Sequence, residues 1–274
     1  VDGLKASRSF LQSEWNDVVD AWQLMSWEAY RDVKRLGRKT RLPEAQRALL
    51  WQVFAKVMAQ LEVAGKITLA GMFSRLAEAM ARREHPAYDH IVVDEAQDIG
   101  VQQLRFLAAV AGGRPNALFF AGDLGQRIFQ PPFSWTSLGV DIRGRSRTLN
   151  INYRTSHQIR SQADRLLGSE VSDVDGNVDI RKGTISVFNG PAPIIADYAT
   201  PDQEVEAVGA WLRQRGSEGV RPHEIAVFVR SELELPRAQA AVQASGLQGR
   251  VLGKDMATQE GLVSIATMHQ AKGM

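Results

Sequence analysis

The feature that most constrains this chain is a pair of short, unbroken apolar runs set about one helix apart. They are Ile91-Val92-Val93 and Ala117-Leu118-Phe119-Phe120-Ala121. A strand with one wet face alternates apolar and polar residues, and neither run does so. Strands apolar throughout belong in parallel sheets covered by helices on both faces. Between the runs, Gln103 to Val110 reads as a helix closed by Gly112-Gly113. Strand, helix and strand at this spacing predict a parallel βαβ unit, and with it the α/β class.

The residues before this unit follow a different period. Leu11, Trp15, Val18 and Trp22 recur at helical spacing, as do Leu50, Val53, Val57 and Leu61, and then Leu69, Phe73, Leu76 and Met80. Pro43 suits a helix start and Gly65 a helix end. The tryptophans at 15, 22, 27 and 51 are expected in the core. Further along, 184–188, 225–229 and 263–266 read as strands. Thr200-Pro201-Asp202-Gln203 reads as a helix start, and that helix carries Val205, Val208 and Leu212 to an end near Gly216. The expected division is a helical subdomain over 1–84, the βαβ region over 85–148, and a second α/β region over 149–274.

Composition excludes more than it identifies. The chain has 274 residues, 44% hydrophobic and 23% charged, the balance of a soluble globular protein. There is no cysteine, so disulfides and thiolate metal sites are excluded, which fits a reducing cytoplasm. No apolar run approaches the roughly 20 residues of a membrane span. The 33 basic and 31 acidic residues leave a net charge of +2, too small an excess to argue for nucleic acid. Any such argument rests on local clusters. One comprises Arg31, Lys34, Arg35, Arg38, Lys39 and Arg41, and the sequence favours a phosphate-contacting role for it over a merely solvated face. Another is Arg143, Arg145 and Arg147.

Four segments carry chemistry. Asp94 and Glu95 end the first apolar strand, at the sheet edge where ligands bind in open α/β folds. In phosphate-loop NTPases an Asp there holds Mg²⁺, and a neighbouring carboxylate can orient or deprotonate water. A solvated acid pair is the plain alternative. The second strand runs out through Gly122-Asp123-Leu124-Gly125-Gln126, and the Gln126 amide can both donate and accept. The same text also suits an ordinary turn. Asn152-Tyr153-Arg154 offers a flat ring and a guanidinium fork that matches phosphate. Thr267-Met268-His269-Gln270-Ala271-Lys272-Gly273 follows the last strand.

Taken in order, these segments resemble motifs II, III, IV and V of the UvrD/Rep-like superfamily 1 DNA helicases: DEAQD, GD-x-x-Q, NYR and T-x-H-x-A-K-G. The resemblance runs from about residue 85 to 274, and the helical start is similar to the subdomain this family inserts before motif II. It implies RecA-like domains and an ATP-dependent enzyme that moves along single-stranded DNA, 3′ to 5′. It implies ATP and Mg²⁺ as cofactors, with Asp94 on the metal and Glu95 activating water. Gln126 and Arg154 would contact the γ-phosphate, and Tyr153 would stack on adenine. Phe129, Phe133 and Trp135 become the candidates for stacking on DNA, and Thr267 and His269 would lie beside the DNA-coupling surface. Single-stranded DNA is the implied partner, alongside repair or replication proteins, in the cytoplasm.

The sequence departs from the family in three places. No segment reads G-x-x-x-x-G-K-[ST]: Gly65-Lys66 runs into Ile67 and Gly253-Lys254 into Asp255. The chain is therefore expected to be a fragment that is inactive alone, lacking the phosphate loop and the arginine-bearing motif VI. In motif III, Pro131-Pro132 interrupts the usual aromatic-Arg-Gly stretch. Between motifs IV and V, residues 156–265 are used up by α/β elements, leaving no room for the family's extra domain. Two other readings remain open: a non-catalytic DNA- or protein-binding module of the same fold, and an Mg²⁺-dependent nuclease using Asp94, Glu95 and Asp98.

Overall fold

The computed structural model describes residues 6–38, 41–128, 130–166, 170–180, 183–253 and 257–272. The chain divides into two compact units, Val1–Ala192 and Pro193–Met274. Mixed helices and small parallel sheets place it in the α/β class.

The first unit opens with helices. α1 (Arg8–Glu14) is capped by Ser7, whose Oγ accepts from Phe10 N at 3.1 Å. It runs on through a π-helical turn, Trp15–Asp20, where both Val18 and Val19 are buried. α2 (Trp27–Asp32), α3 (Glu44–Val63) and α4 (Leu69–Ala81) follow. Pro43 begins α3, and Gly65 takes the positive φ (+60°) that lets the chain turn away after it. Val18, Val19, Tyr30, Leu50 and Phe54 form the core here, with Trp15, Trp27 and Trp51 packed against it. Trp22 packs instead on the α/β core that follows.

A buried ion cluster ties this helical segment together. Glu14 is 0% exposed. It accepts from Arg35 Nε at 2.8 Å and Nη2 at 2.6 Å, from Arg38 Nη2 at 3.0 Å and from the Tyr30 hydroxyl at 3.1 Å. Burial, and then the Glu14 charge, pushes the Tyr30 hydroxyl well above the usual phenol range. Arg38 also reaches Asp17 at 2.8 Å. Arg35 and Arg38 are thus turned inward, which removes these two from the cluster expected to face a phosphate backbone; Arg31, Lys34 and Arg41 stay exposed, and Lys39 lies outside the described residues.

The βαβ unit forms as expected. β1 (Ile91–Val93) pairs in parallel with β2 (Leu118–Phe120), joined by α5 (Val101–Ala111). Gly112 closes α5 with φ +61°. Ala96, Ile99, Val101, Leu104, Phe133 and Val140 form the core, with Val93, Leu118 and Phe120 packed on it. The expectation of two covered faces is met on one side only. Val92 and Phe119, paired in register on the opposite face, are 73% and 62% exposed. Alternation along each strand sends these two residues away from α5.

Small elements complete the first unit, among them β3 (Ile151–Asn152), α6 (His157–Asp164) and the antiparallel hairpin β4 (Glu170–Ser172) with β5 (Val178–Ile180). β6 (Ile185–Ser186) pairs in parallel with β3.

In the second unit, α7 (Pro201–Ser217) starts at Thr200, whose side chain accepts from Gln203 N. β7 (Ala226–Val229), α8 (Leu235–Ala244), β8 (Gly249–Val251), β9 (Val263–Thr267) and α9 (Met268–Ala271) follow. The sheet order is β7-β9-β8, all parallel. β9, the central strand, is buried throughout, Ser264 and Thr267 included. A Cβ at Gly249 would sit 2.9 Å from Ile265 Cδ1 and 3.0 Å from Val242 Cγ1, so only glycine lets α8 close on the sheet here. Among the described residues, no helix is long and apolar enough to cross a membrane.

Candidate functional site

The acids expected at the end of β1 stand there. Asp94 Oδ1 accepts from Glu95 N at 2.8 Å, and both side chains are exposed. Glu95 takes φ +52° and ψ +39°, the left-handed region, which costs a residue with a Cβ about 1–2 kcal/mol. This kink ends the strand and starts the 3₁₀ turn Ala96–Asp98. Non-glycine residues held in this region gather at functional sites, because surrounding contacts must impose the conformation.

The contacts that impose it come from β2. Ala96 N donates to Ala121 O at 2.9 Å, carrying the strand pairing past the kink. Gln97 lies beneath, 5% exposed. Its Nε2 donates to Glu95 Oε2, and its Oε1 accepts from Asp123 N at 3.0 Å. Asp123 in turn accepts from Gly125 N at 2.8 Å and from Gln126 Nε2 at 2.9 Å. Gly122 is what permits the approach: a Cβ there would stand 2.5 Å from Gln97 Oε1 and 3.1 Å from Ala96 N. The exits of β1 and β2, carrying Asp94, Glu95 and Gln126, are therefore one hydrogen-bonded assembly.

The loop that follows is folded inward. Phe133 is 4% exposed in the core, with the Arg127 guanidinium 5.1 Å from its ring centroid. A ring buried in this way offers no face to a base. Burial also pushes the Arg127 guanidinium below its usual range, with Asp173 opposing. Trp135 stands edge-on to Phe120 at 4.8 Å and is half-buried, while Phe129 lies outside the described residues. The prolines rest on the helical segment: a Cβ at Gly37 (φ +74°) would meet Pro132 Cδ at 2.7 Å.

Asp175, in the β4–β5 turn, holds the loop from the other side. Its carboxylate accepts from Ser134 Oγ, from Trp135 N at 2.6 Å and from Thr136 N at 3.1 Å. Burial alone would raise this carboxyl, but the hydrogen bonds outweigh it and hold it below the usual aspartate range. A depressed folded-state value means the contact is complete above the unfolded aspartate range and is lost as pH falls through the folded value. Acid titration followed at the Trp135 and Thr136 amides is expected to leave both protected through mildly acidic pH and to release them together only below the ordinary aspartate range.

Asn152 organises the next candidates. Its Oδ1 accepts from both Arg154 N and Thr155 N at 2.9 Å, a side-chain turn that fixes the backbone around Tyr153 and Arg154. The Tyr153 ring is 72% exposed. Tyr153, Arg154 and Asn152 line a cavity of about 1120 Å³ together with Asp123, Arg127 and the open face at Phe119. The structure thus gathers Tyr153 and Arg154 with the exit of β2.

Residues 13–131 match the family described as the UvrD/REP helicase N-terminal domain. Over these residues the chain is similar to that family. It is 25% identical over 272 aligned residues to the ATP-dependent DNA helicase UvrD2 of Mycobacterium bovis. The ATP-dependent DNA helicases UvrD2 of two Mycobacterium tuberculosis strains match to the same 25%. These alignments take in 90% of this chain, which spans 38% of the length of the relatives.

The UvrD/REP match takes in most of the helical segment, the acids at the end of β1 and Gln126; Tyr153, Arg154, Thr267 and His269 lie beyond it. In the second unit, Thr267 ends β9 and is buried, its N and Oγ1 both donating to Gln270 Oε1 at 2.9 and 3.1 Å. His269 is exposed on α9. Among the described residues, no group of three or more His, Asp or Glu side chains is placed to hold a metal ion. Mg²⁺ does not require one: it keeps several waters and takes one or two carboxylates plus phosphate oxygens, which the exposed Asp94 fits.

Sequence reasoning found the acids and Gln126 but passed over Gln97. Its signal was a single amide inside Asp94-Glu95-Ala96-Gln97-Asp98, flanked by residues that turn inward.

Proposed function

We propose that this chain supplies the water-activating and phosphate-sensing side of an ATP-hydrolysing site, in a helicase or translocase that moves 3′ to 5′ on single-stranded DNA. One observation carries the reading: Asp94 and Glu95 leave β1 joined through Gln97 to the loop that presents Gln126. In this reading 1–84 is a helical subdomain, 85–148 belongs to a first RecA-like domain and 149–274 to a second.

Asp94 is the residue that would hold Mg²⁺, which would supply charge neutralisation at the phosphates. Glu95 orients the attacking water and accepts its proton. Gln126 donates to the γ-phosphate and accepts from the same water, and Arg154 contacts the γ-phosphate with its guanidinium fork. Tyr153, with its ring turned out, stacks on adenine. Thr267 and His269 pass the nucleotide state to DNA. Phe129 is the candidate left for stacking on a base, since Phe133 is buried and Trp135 packs edge-on against Phe120. With no G-x-x-x-x-G-K-[ST] segment in this chain, the phosphate loop comes from elsewhere in the full-length protein.

The test compares full-length protein with this chain alone. The full-length protein is expected to hydrolyse ATP faster when single-stranded DNA is added, and this chain to hydrolyse none above background. DNA binding by the full-length protein with no ATP turnover would establish the non-catalytic binding module instead. DNA degradation with Mg²⁺ and no ATP would establish the nuclease.

A further inference from the structure

We infer that Gln97 is a positioning residue that holds the Glu95 carboxylate and the Gln126 loop in fixed register; this rests on the ATPase reading of Asp94 and Glu95. A carboxylate only accepts hydrogen bonds and a backbone N–H only donates them. A side chain linking Glu95 Oε2 to Asp123 N must therefore offer one donor and one acceptor a fixed distance apart. An amide does this, and only one orientation of the Gln97 amide satisfies both partners.

The remaining geometry makes this link stiff. Gln97 is buried, so neither hydrogen bond exchanges readily with water. Gly122 lies against Gln97 Oε1 with no room for a methyl group, which pins the amide on the β2 side. Beyond Asp123, the carboxylate holds Gly125 N and Gln126 Nε2, so the link continues to the amide assigned to the γ-phosphate. Glu95 sits at a left-handed kink where its backbone direction is already set, and the bond from Gln97 then selects its side-chain direction. A displacement of the β2 exit, as when Gln126 engages a phosphate, is thereby transmitted to the group that activates water.

The experiment uses the full-length protein and four variants: Gln97→Met, Gln97→Glu, Glu95→Gln, and the exchange Glu95→Gln with Gln97→Glu. Readouts are kcat, KM for ATP, the stoichiometry of bound fluorescent ATP analogue, and Tm. Gln97→Met removes both bonds; it should lower kcat about 10- to 100-fold, with KM within about threefold and one nucleotide still bound per protein. Gln97→Glu keeps the acceptor for Asp123 N but sets two carboxylates together, and should lower both kcat and Tm. In the exchange, donor and acceptor trade places, so Tm should recover relative to Gln97→Glu while turnover stays absent. Folded Gln97 variants with unchanged kcat would overturn the inference, and so would additive Tm effects in the exchange. Unchanged turnover in Glu95→Gln would instead refute the ATPase reading, and the Tm cycle reports the link separately from it.

Discussion

In the full-length protein, Glu95→Gln is expected to lower ATP turnover by about 10²- to 10⁴-fold while leaving nucleotide affinity within a factor of about three. The two side chains have the same shape, and a glutamine at 95 can still accept from Gln97 Nε2 through its own oxygen. The left-handed backbone at 95 costs glutamine what it costs glutamate, so the fold is not asked to change. What disappears is the capacity to take a proton from water. Stopped-flow binding of a fluorescent nucleotide and steady-state phosphate release separate the two effects. Turnover at the wild-type rate would remove Glu95 from the chemistry; lost binding would make it a structural residue.

The second large effect lies in the helical segment. Glu14→Ala is expected to destabilise it by about 3–5 kcal/mol, because two largely buried guanidinium groups lose the carboxylate between them. Tyr30 loses its acceptor in the same step. Replacing the buried charges and the hydroxyl together, with Glu14→Leu, Tyr30→Phe, Arg35→Met and Arg38→Leu, is expected to cost far less, since well-packed apolar groups avoid the desolvation penalty. Denaturant midpoints of the two variants decide the matter. Equal losses would mean that packing around Glu14, rather than its charge, carries the stability.

The parts of the fold set by periodicity were legible in advance. β1, β2, α5 and β7 rest on unbroken apolar runs or on helical stripes with glycine or proline at their ends, and they stand where those signals put them. Among the elements the sequence did not announce are α6 and α8 and the shortest strands. The β4–β5 hairpin and β3 have two or three residues each, too few for a period to show, and depend on partners distant in sequence. The inward turn of Arg35 and Arg38 was hidden for a related reason. A charge run reads as solvated until a buried acid, here Glu14 on α1, is brought to it by folding.

The site divides in the same way. Asp94 and Glu95 stood out as candidates because they follow a strand end, and Gln126 because it lies in the turn after the next strand, the edge where ligands bind in α/β folds. Gln97 did not, because its role is to join two strand exits whose contact exists only in three dimensions. The half-buried Trp135 and buried Phe133 show the converse. Aromatic residues beside a motif suggest stacking, yet the pairing of Phe133 with Arg127 and of Trp135 with Phe120 is packing that sequence alone does not reveal.

The most direct measurement is the structure of the full-length protein with Mg²⁺ and a non-hydrolysable ATP analogue. The expected result places the metal at about 2.0–2.1 Å from a carboxylate oxygen of Asp94. Gln126 then reaches the γ-phosphate, and the Glu95 carboxylate faces the position of the attacking water with Gln97 still bonded behind it. A nucleotide bound elsewhere, with Asp94 and Glu95 left facing solvent, would contradict the assignment of this strand end as the hydrolytic edge.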